Sequence, residues 1–255
     1  MMARAQTGTL LAPASREDGA RLVKYVAIRN HFLGEILSGA LRPGAQLPSE
    51  HEIMARFSVS RVTTRQALDM LRAEGRVEAR QGKGYYVRPM TATAGLDRLQ
   101  SLDEMMATLG APLGAEVIEI SETSSPAGVA LALGLDPLRH VIRIVRTRQA
   151  AGVTVSVDEC YLPVTFGRQL IKLDLARRDI LTLLEERLGI VLTHADITLD
   201  LTPPPDAFAP MIGLVPGEPA LTVTRVPHDA CGRAIMVQTS FARPGVLRFQ
   251  MRAER

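Results

Sequence analysis

The chain has 255 residues, 46% of them apolar and 22% charged, with a net charge of +3. That allows two domains of ordinary size with real cores, which Leu, Val, Ile, Ala and Met must fill because Trp is absent and only 4% of residues are aromatic. Two cysteines, Cys160 and Cys231, do not make a disulfide framework, and no Cys/His spacing suggests zinc. Neither metal nor cofactor is expected, and a reducing cytoplasm is the simplest compartment. The opening "MMARAQTGTLLAPAS" lacks the apolar core of a signal peptide, and no stretch reaches the roughly 18 apolar residues of a membrane span. Residues 1–90 carry a net +6 and residues 91–255 a net −3, so only the front of the chain is expected to meet a polyanion.

Residues 1–18 read as a disordered tail. Apolar residues at Val23, Ala27, Ile28, Phe32 and Ile36 follow helical period, with Gly39 as a stop and a turn around Pro43 and Gly44. "SEHE" is a capping box that starts a second helix at Ser49, with Ile53, Met54 and Phe57 on its apolar side. "FSVS" breaks it, and Ser60 caps a third helix that ends at Gly75. Thr64, Ala67, Leu68 and Leu71 give that helix a packing face, beside a stripe of Arg61, Arg65 and Arg72. Two short strands follow, residues 77–80 and 85–87, joined by "QGKG" in a tight hairpin.

Three helices and a basic hairpin make a winged helix-turn-helix over residues 19–88. Its third helix is expected to enter a DNA major groove, with Arg61 and Arg65 reading guanine. Ser49, Ser60 and Thr63 are placed to meet phosphates, and the wing tip, Gln81, Gly82, Lys83 and Gly84, to lie along a minor groove or backbone. Residues 25–87, with "PG..LPSE.E.....F.VSR.T.R.AL..L..EG.V....G.G", closely resemble the DNA-binding domain of the GntR family of bacterial transcription regulators. The resemblance implies DNA contacts at His51, Arg61, Thr63, Arg65 and the wing glycines, with His51 standing where a longer polar residue is common.

Residues 89–98 lack apolar period and read as a linker. Residues 99–252 read as an α+β domain on an antiparallel sheet. "SLDEMMATLG" is a helix with a second capping box, Ser101 to Glu104; "DILTLLEERLGI" and "PPDAFAPMIGL" are helical. "THADITLDLTP" is a strand with Ala195, Ile197, Leu199 and Leu201 on one face. With a turn centred on Ala151, the hairpin of residues 140–163 sets Arg148 against Thr154 and Arg146 against Ser156. Arg146, Arg148, Thr154, Ser156 and Asp158 then share one face. Near the helix start at Ser101 and Leu102, two arginines there would make an anion cradle. The order of elements is similar to the UTRA effector-binding domain of the HutC subfamily, which has the chorismate-lyase-like fold. That resemblance implies effector contacts for Ser101, Leu102, Arg146, Arg148, Ser156 and Asp158. Asp179 and Leu181 stand where sugar-phosphate members carry Ser and Tyr, which predicts a more apolar site.

These readings converge on a homodimeric, ligand-responsive repressor and not an enzyme. It would bind an inverted-repeat operator in double-stranded DNA and a small anionic effector, carboxylate or phosphate, away from any membrane. The alternatives are an enzyme with a tethered DNA module and an effector-independent DNA-binding protein.

Overall fold

A computed structural model describes residues 16–88, 93–95, 101–108 and 111–250. Residues 1–15 of the expected tail, and 89–92 and 96–98 of the expected linker, lie outside them.

The first helix, α1 (Arg16–Leu37), begins within the expected tail. Its inner side is Ile28, Phe32, Leu33, Ile36 and Leu37; Ala27, one of the expected apolar positions, faces outward. Helix α2 (Glu50–Phe57) starts on the expected capping box: the Glu52 N–H donates to the Ser49 hydroxyl, and the Ser49 N–H donates to Glu52. That acceptance holds the Glu52 carboxyl below the usual range. Ser58, left-handed at φ 50°, ends the helix. Helix α3 (Arg61–Ala73) is capped by Ser60 and buries Thr63, Thr64, Ala67, Leu68 and Leu71. Strands β1 (Val77–Arg80) and β2 (Gly84–Val87) form the wing in register Arg80 to Gly84, so three residues make its tip.

Strand β3 (Thr93–Gly95) pairs in parallel with the last strand of the chain, so part of the expected linker is sheet. Helix α4 (Leu102–Thr108) carries the second capping box, Ser101 N–H to Glu104 and Glu104 N–H to the Ser101 hydroxyl. Then come β4 (Gly114–Ser124), α5 (Ala127–Leu133), β5 (His140–Ala150), β6 (Val153–Pro163), α6 (Val164–Leu170), α7 (Ile180–Leu188) and β7 (Leu192–Thr202). A short 3₁₀ turn (Ala209–Ile212) stands where a helix was expected. The described residues close with β8 (Ala220–Asp229), β9 (Val237–Ala242) and β10 (Arg248–Gln250). The main sheet is antiparallel, in the order β4-β5-β6-β9-β8-β7. The α+β expectation, a winged helix-turn-helix joined to a chorismate-lyase-like sheet domain, therefore holds.

Two differences matter for the site. Ala150 pairs with Val153, so the turn is Ala151-Gly152 and not centred on Ala151, and a bulge between Arg148 and Gln149 leaves Val155 unpaired. Together these set Arg148 against Ser156 and Arg146 against Asp158, two residues from the expected register. Thr154 pairs with Gln149 and leaves the arginine face. On β7, an edge strand, Leu201 is 71% exposed, so the expected apolar face covers no core.

One face of β5 and β6 carries Ile142, Ile144, Cys160 and Leu162 under α6 and α7. The other packs Val145 and Val157 on Phe208 and Phe241. A third core joins the two domains: Phe32, Leu33 and Leu68 of the DNA head cluster with Leu102 and Met106 of α4 and with Val155 and Ala242. Head, α4 and one end of the sheet thus share buried surface.

Candidate functional site

The head presents a cleft of about 840 Å³ between the start of α2, the start of α3 and the wing tip. Ser49, His51, Arg61, Gly82, Lys83 and Gly84 line it, so six of the ten expected DNA residues come together in one groove. Positive φ at Gly82 (70°) and Gly84 (97°) makes the narrow tip possible without side-chain strain. Side chains of Arg61 and Arg65 are 70% and 61% exposed, free to meet a ligand. Thr63 differs from expectation: it is 4% exposed and its hydroxyl lies 2.9 Å from that of Ser60. Its role in the free protein is to help cap α3.

Sequence reasoning missed Glu50. Its carboxylate lies 2.9 Å from Arg61 Nε and 3.5 Å from Arg65 Nε, so one acid on α2 tethers both outward arginines of α3. Both contacts use Nε, which leaves the terminal fork of each guanidinium for an outside acceptor. The spacing "PSE" carries no mark of this contact, because only the crossing of two helices creates it.

In the second domain, the expected face is buried. Arg146 is 0%, Arg148 2%, Ser156 0% and Asp158 0% exposed. Cross-strand pairing sets Arg146, Asp158 and Ser240 in one row, Arg148 and Ser156 in the next, and Gln238 with Arg225 behind them. Arg146 donates through Nη1 to the carbonyls of Leu175 (2.9 Å) and Arg178 (3.1 Å). Arg148 pairs with Asp103 of α4, and its Nη1 lies 3.5 Å from Asp179 and 4.0 Å from Asp158. Asp179 caps α7 by accepting from the Leu181 N–H at 2.8 Å.

Three guanidiniums, Arg146, Arg148 and Arg225, thus face three carboxylates, Asp103, Asp158 and Asp179. Burial opposes the charge on Arg148, and Asp158, Asp103 and Asp179 together outweigh it, so its pKa is raised. Burial lowers that of Arg225 against Asp158 and Asp179. Burial also raises the Asp179 carboxyl and pushes the Cys160 thiol up, which leaves that thiol unreactive. Despite the carboxylates, Arg146 Nε and Nη2, Arg148 Nε and Nη1, and Arg225 Nε lack a hydrogen-bond acceptor among the described residues. Buried donors of that kind are costly to leave unmade.

The expected apolar character is met at Leu181, buried among the aliphatic residues under α6 and α7, but not at Asp179, which brings a charge beside Arg148. The expected cradle of free amides is also altered, because the Ser101 and Glu104 N–H groups are taken by the capping box and Asp103 lies on Arg148. Asp103 is the most accessible of the three acids, its side chain 29% exposed. Next to it a pocket of about 130 Å³ opens between the starts of α4 and α7 and β7, with Ser101 in its wall.

Comparison with known proteins gives two domain matches. Residues 24–87 match the family described as "Bacterial regulatory proteins, gntR family", and residues 108–245 match the "UTRA domain". The chain is 27% identical over 210 residues to the HTH-type transcriptional repressor NagR of Bacillus subtilis (strain 168), covering 82% of this chain and 86% of the relative. It is 27% identical over 220 residues to the HTH-type transcriptional regulator Rv0792c of Mycobacterium tuberculosis (strain ATCC 25618 / H37Rv), covering 85% and 81%. The crystal structure of PhnF from Mycobacterium smegmatis superposes with a TM-score of 0.62 at 27% identity, over 88% of this chain and 98% of that one.

Proposed function

The chain belongs to the gntR family of bacterial regulatory proteins, in its UTRA-containing, HutC-type subfamily, and on that premise we propose that it is a cytoplasmic, homodimeric transcriptional repressor. It reads an inverted-repeat operator with α3 and the wing. A small carboxylate or phosphate, bound against Arg146 and Arg148, releases or re-sets it. The family and the named relatives are transcriptional regulators, not enzymes. No helix among the described residues is long and apolar enough to cross a membrane.

The observation that carries the effector reading is the buried arginine pair with unmet N–H donors beside a displaceable acid. In the free protein Asp103 holds the place of the ligand's anionic group. A ligand that takes Arg148 also meets the free donors of Arg146, and it gives Asp103 back to water. Asp103 sits in the first turn of α4, whose Leu102 and Met106 pack in the core shared with the DNA head. Ligand binding is thereby coupled to head placement, and through it to operator affinity.

The test is a thermal-shift screen of small acids and phosphate esters on the wild type and on Arg146→Lys. A lysine keeps the charge but loses the planar fork, so a true effector should stabilise the wild type and act weakly on the variant. Equal stabilisation of both would place the site elsewhere.

A further inference from the structure

We propose that the cavity between the DNA head and the sheet domain is a second ligand site, for a small organic anion carrying two or more negative charges. The cavity holds about 330 Å³, at the lower end of the range for small-molecule sites. Its walls are the last turn of α1, the turn at Arg42 and Pro43, Arg88 after the wing, and the turn from Arg243 to Gly245.

The charges are one-sided. Three arginines line the cavity and none of its described lining residues is acidic. In the same head, Arg29, Arg56, Arg61, Arg65, Arg72 and Arg80 all pair with carboxylates. Arg42, Arg88 and Arg243 make no such pair among the described residues. Three arginines without a carboxylate partner among the described residues line one space, and that excess of positive charge favours an anion there.

The frame is built by the fold. The Gly44 N–H donates to Val87 O and the Arg88 N–H to Arg76 O, both at 2.8 Å, which sets the Arg42 turn beside Arg88. The Arg243 N–H donates to Val155 O at 3.0 Å. The Arg243 guanidinium lies over Gly213, where an added Cβ would come within 2.9 Å of Nη1, so the glycine gives that side chain its place. The carbonyl end of α1 would ordinarily repel an anion. Here its oxygens at Gly34, Glu35 and Ile36 already accept from Ser38, Leu41 and Gly39. Buried Ile36 and Leu37, with Pro43 and Pro244, supply apolar wall, which fits a ligand with a carbon body.

This space is neither of the sites described above. Arg146 and Arg148 do not line it, and the wing tip lies at the far end of β1 and β2 from Val77 and Val87. Arg42 and Arg88 belong to the head and Arg243 to the sheet domain. A ligand that engages all three fastens the two together as they stand here, and operator affinity shifts by the same factor as ligand affinity.

Calorimetric titration of the full chain at low salt tests this, with citrate and with inorganic pyrophosphate as probes. The wild type should show a saturable component that weakens about tenfold or more in Arg42→Ala/Arg88→Ala/Arg243→Ala, the worth of a few charge-assisted hydrogen bonds. All three side chains reach solvent, so the variant should fold, with thermal unfolding as the check. The component should persist in Arg146→Lys and in Arg61→Ala/Lys83→Ala. Its survival in the triple variant, its loss in either control, or no binding of either probe to the wild type at about 10 mM overturns the proposal.

Discussion

Glu50→Gln removes one negative charge that lies 2.9 Å from Arg61 Nε and 3.5 Å from Arg65 Nε. Both arginines are more than half exposed, so each ion pair is worth about 0.2–1 kcal/mol and the fold should survive. The effect on DNA separates into two opposing parts. Loss of an acid beside a polyanion strengthens binding to any duplex and steepens its salt dependence by about 0.9 log units per log unit of salt. Loss of the shared tether frees two long side chains, and re-ordering them costs about 0.5–1.5 kcal/mol each when they meet bases. Only the operator, where the arginines must be held, feels that second cost. The ratio of operator to random-DNA affinity should therefore fall at least about fivefold, even as random-DNA affinity rises. The assay is fluorescence anisotropy on an operator selected from random DNA and on a scrambled duplex, over a salt series. An unchanged or increased ratio would show that Glu50 does not position the reading arginines.

Asp103→Asn should tighten binding of an effector found by screening, by about tenfold, because the ligand no longer displaces an ion pair from Arg148. The same variant should unfold a few degrees lower, since roughly 1 kcal/mol shifts the midpoint of a chain of this size by about 2–4 °C; weaker ligand binding would remove Asp103 as place-holder. Gly167→Ala puts a Cβ within 2.4 Å of Ile142 Cβ and Cγ1, so overpacking should cost about 1–3 kcal/mol, read by denaturant unfolding. Asp179 has a raised carboxyl, so the fold holds its proton more tightly than the unfolded chain does. Its stabilising contribution is full below the ordinary carboxylate pKa and is lost as pH rises through the folded value. Asp179→Asn keeps an N-cap acceptor and removes that titration, so wild type should lose stability relative to the variant as pH rises above the ordinary carboxylate pKa; a pH-independent difference would contradict the shift.

Local chemistry made the head legible. The capping box of α2, the Ser60 cap and the packing face of α3 depend on residues within a few positions of one another, and the structure places them as the sequence predicts, as it does the capping box of α4 in the sheet domain. The sheet domain depends on distant residues. The two-residue turn and the bulge at Val155 leave no mark in the alternation of β6, yet each shifts the register by one, and together they turn Thr154 away from Arg148. Asp103 and Asp179 lie 45 and 31 residues from Arg148 along the chain, so the neutralised, buried character of the arginine face could not be read from the strand itself. β3 escaped because three small residues, Thr93, Ala94 and Gly95, carry no apolar pattern; their pairing with β10 is a backbone event. Leu199 and Leu201 alternate correctly on β7, but alternation does not reveal that the strand is an edge and that both side chains are exposed among the described residues.

The most direct test of the account joins its two domains in one experiment. Operator binding by the full chain would be titrated with the strongest stabiliser from the screen of acids and phosphate esters, in wild type and in Arg146→Lys. The account predicts a shift in wild-type operator affinity of at least about fivefold, the lower end of allosteric couplings, and little or no shift in the variant at the same ligand concentration. An operator affinity indifferent to every ligand that binds the sheet domain, or one that shifts equally in both proteins, would contradict it.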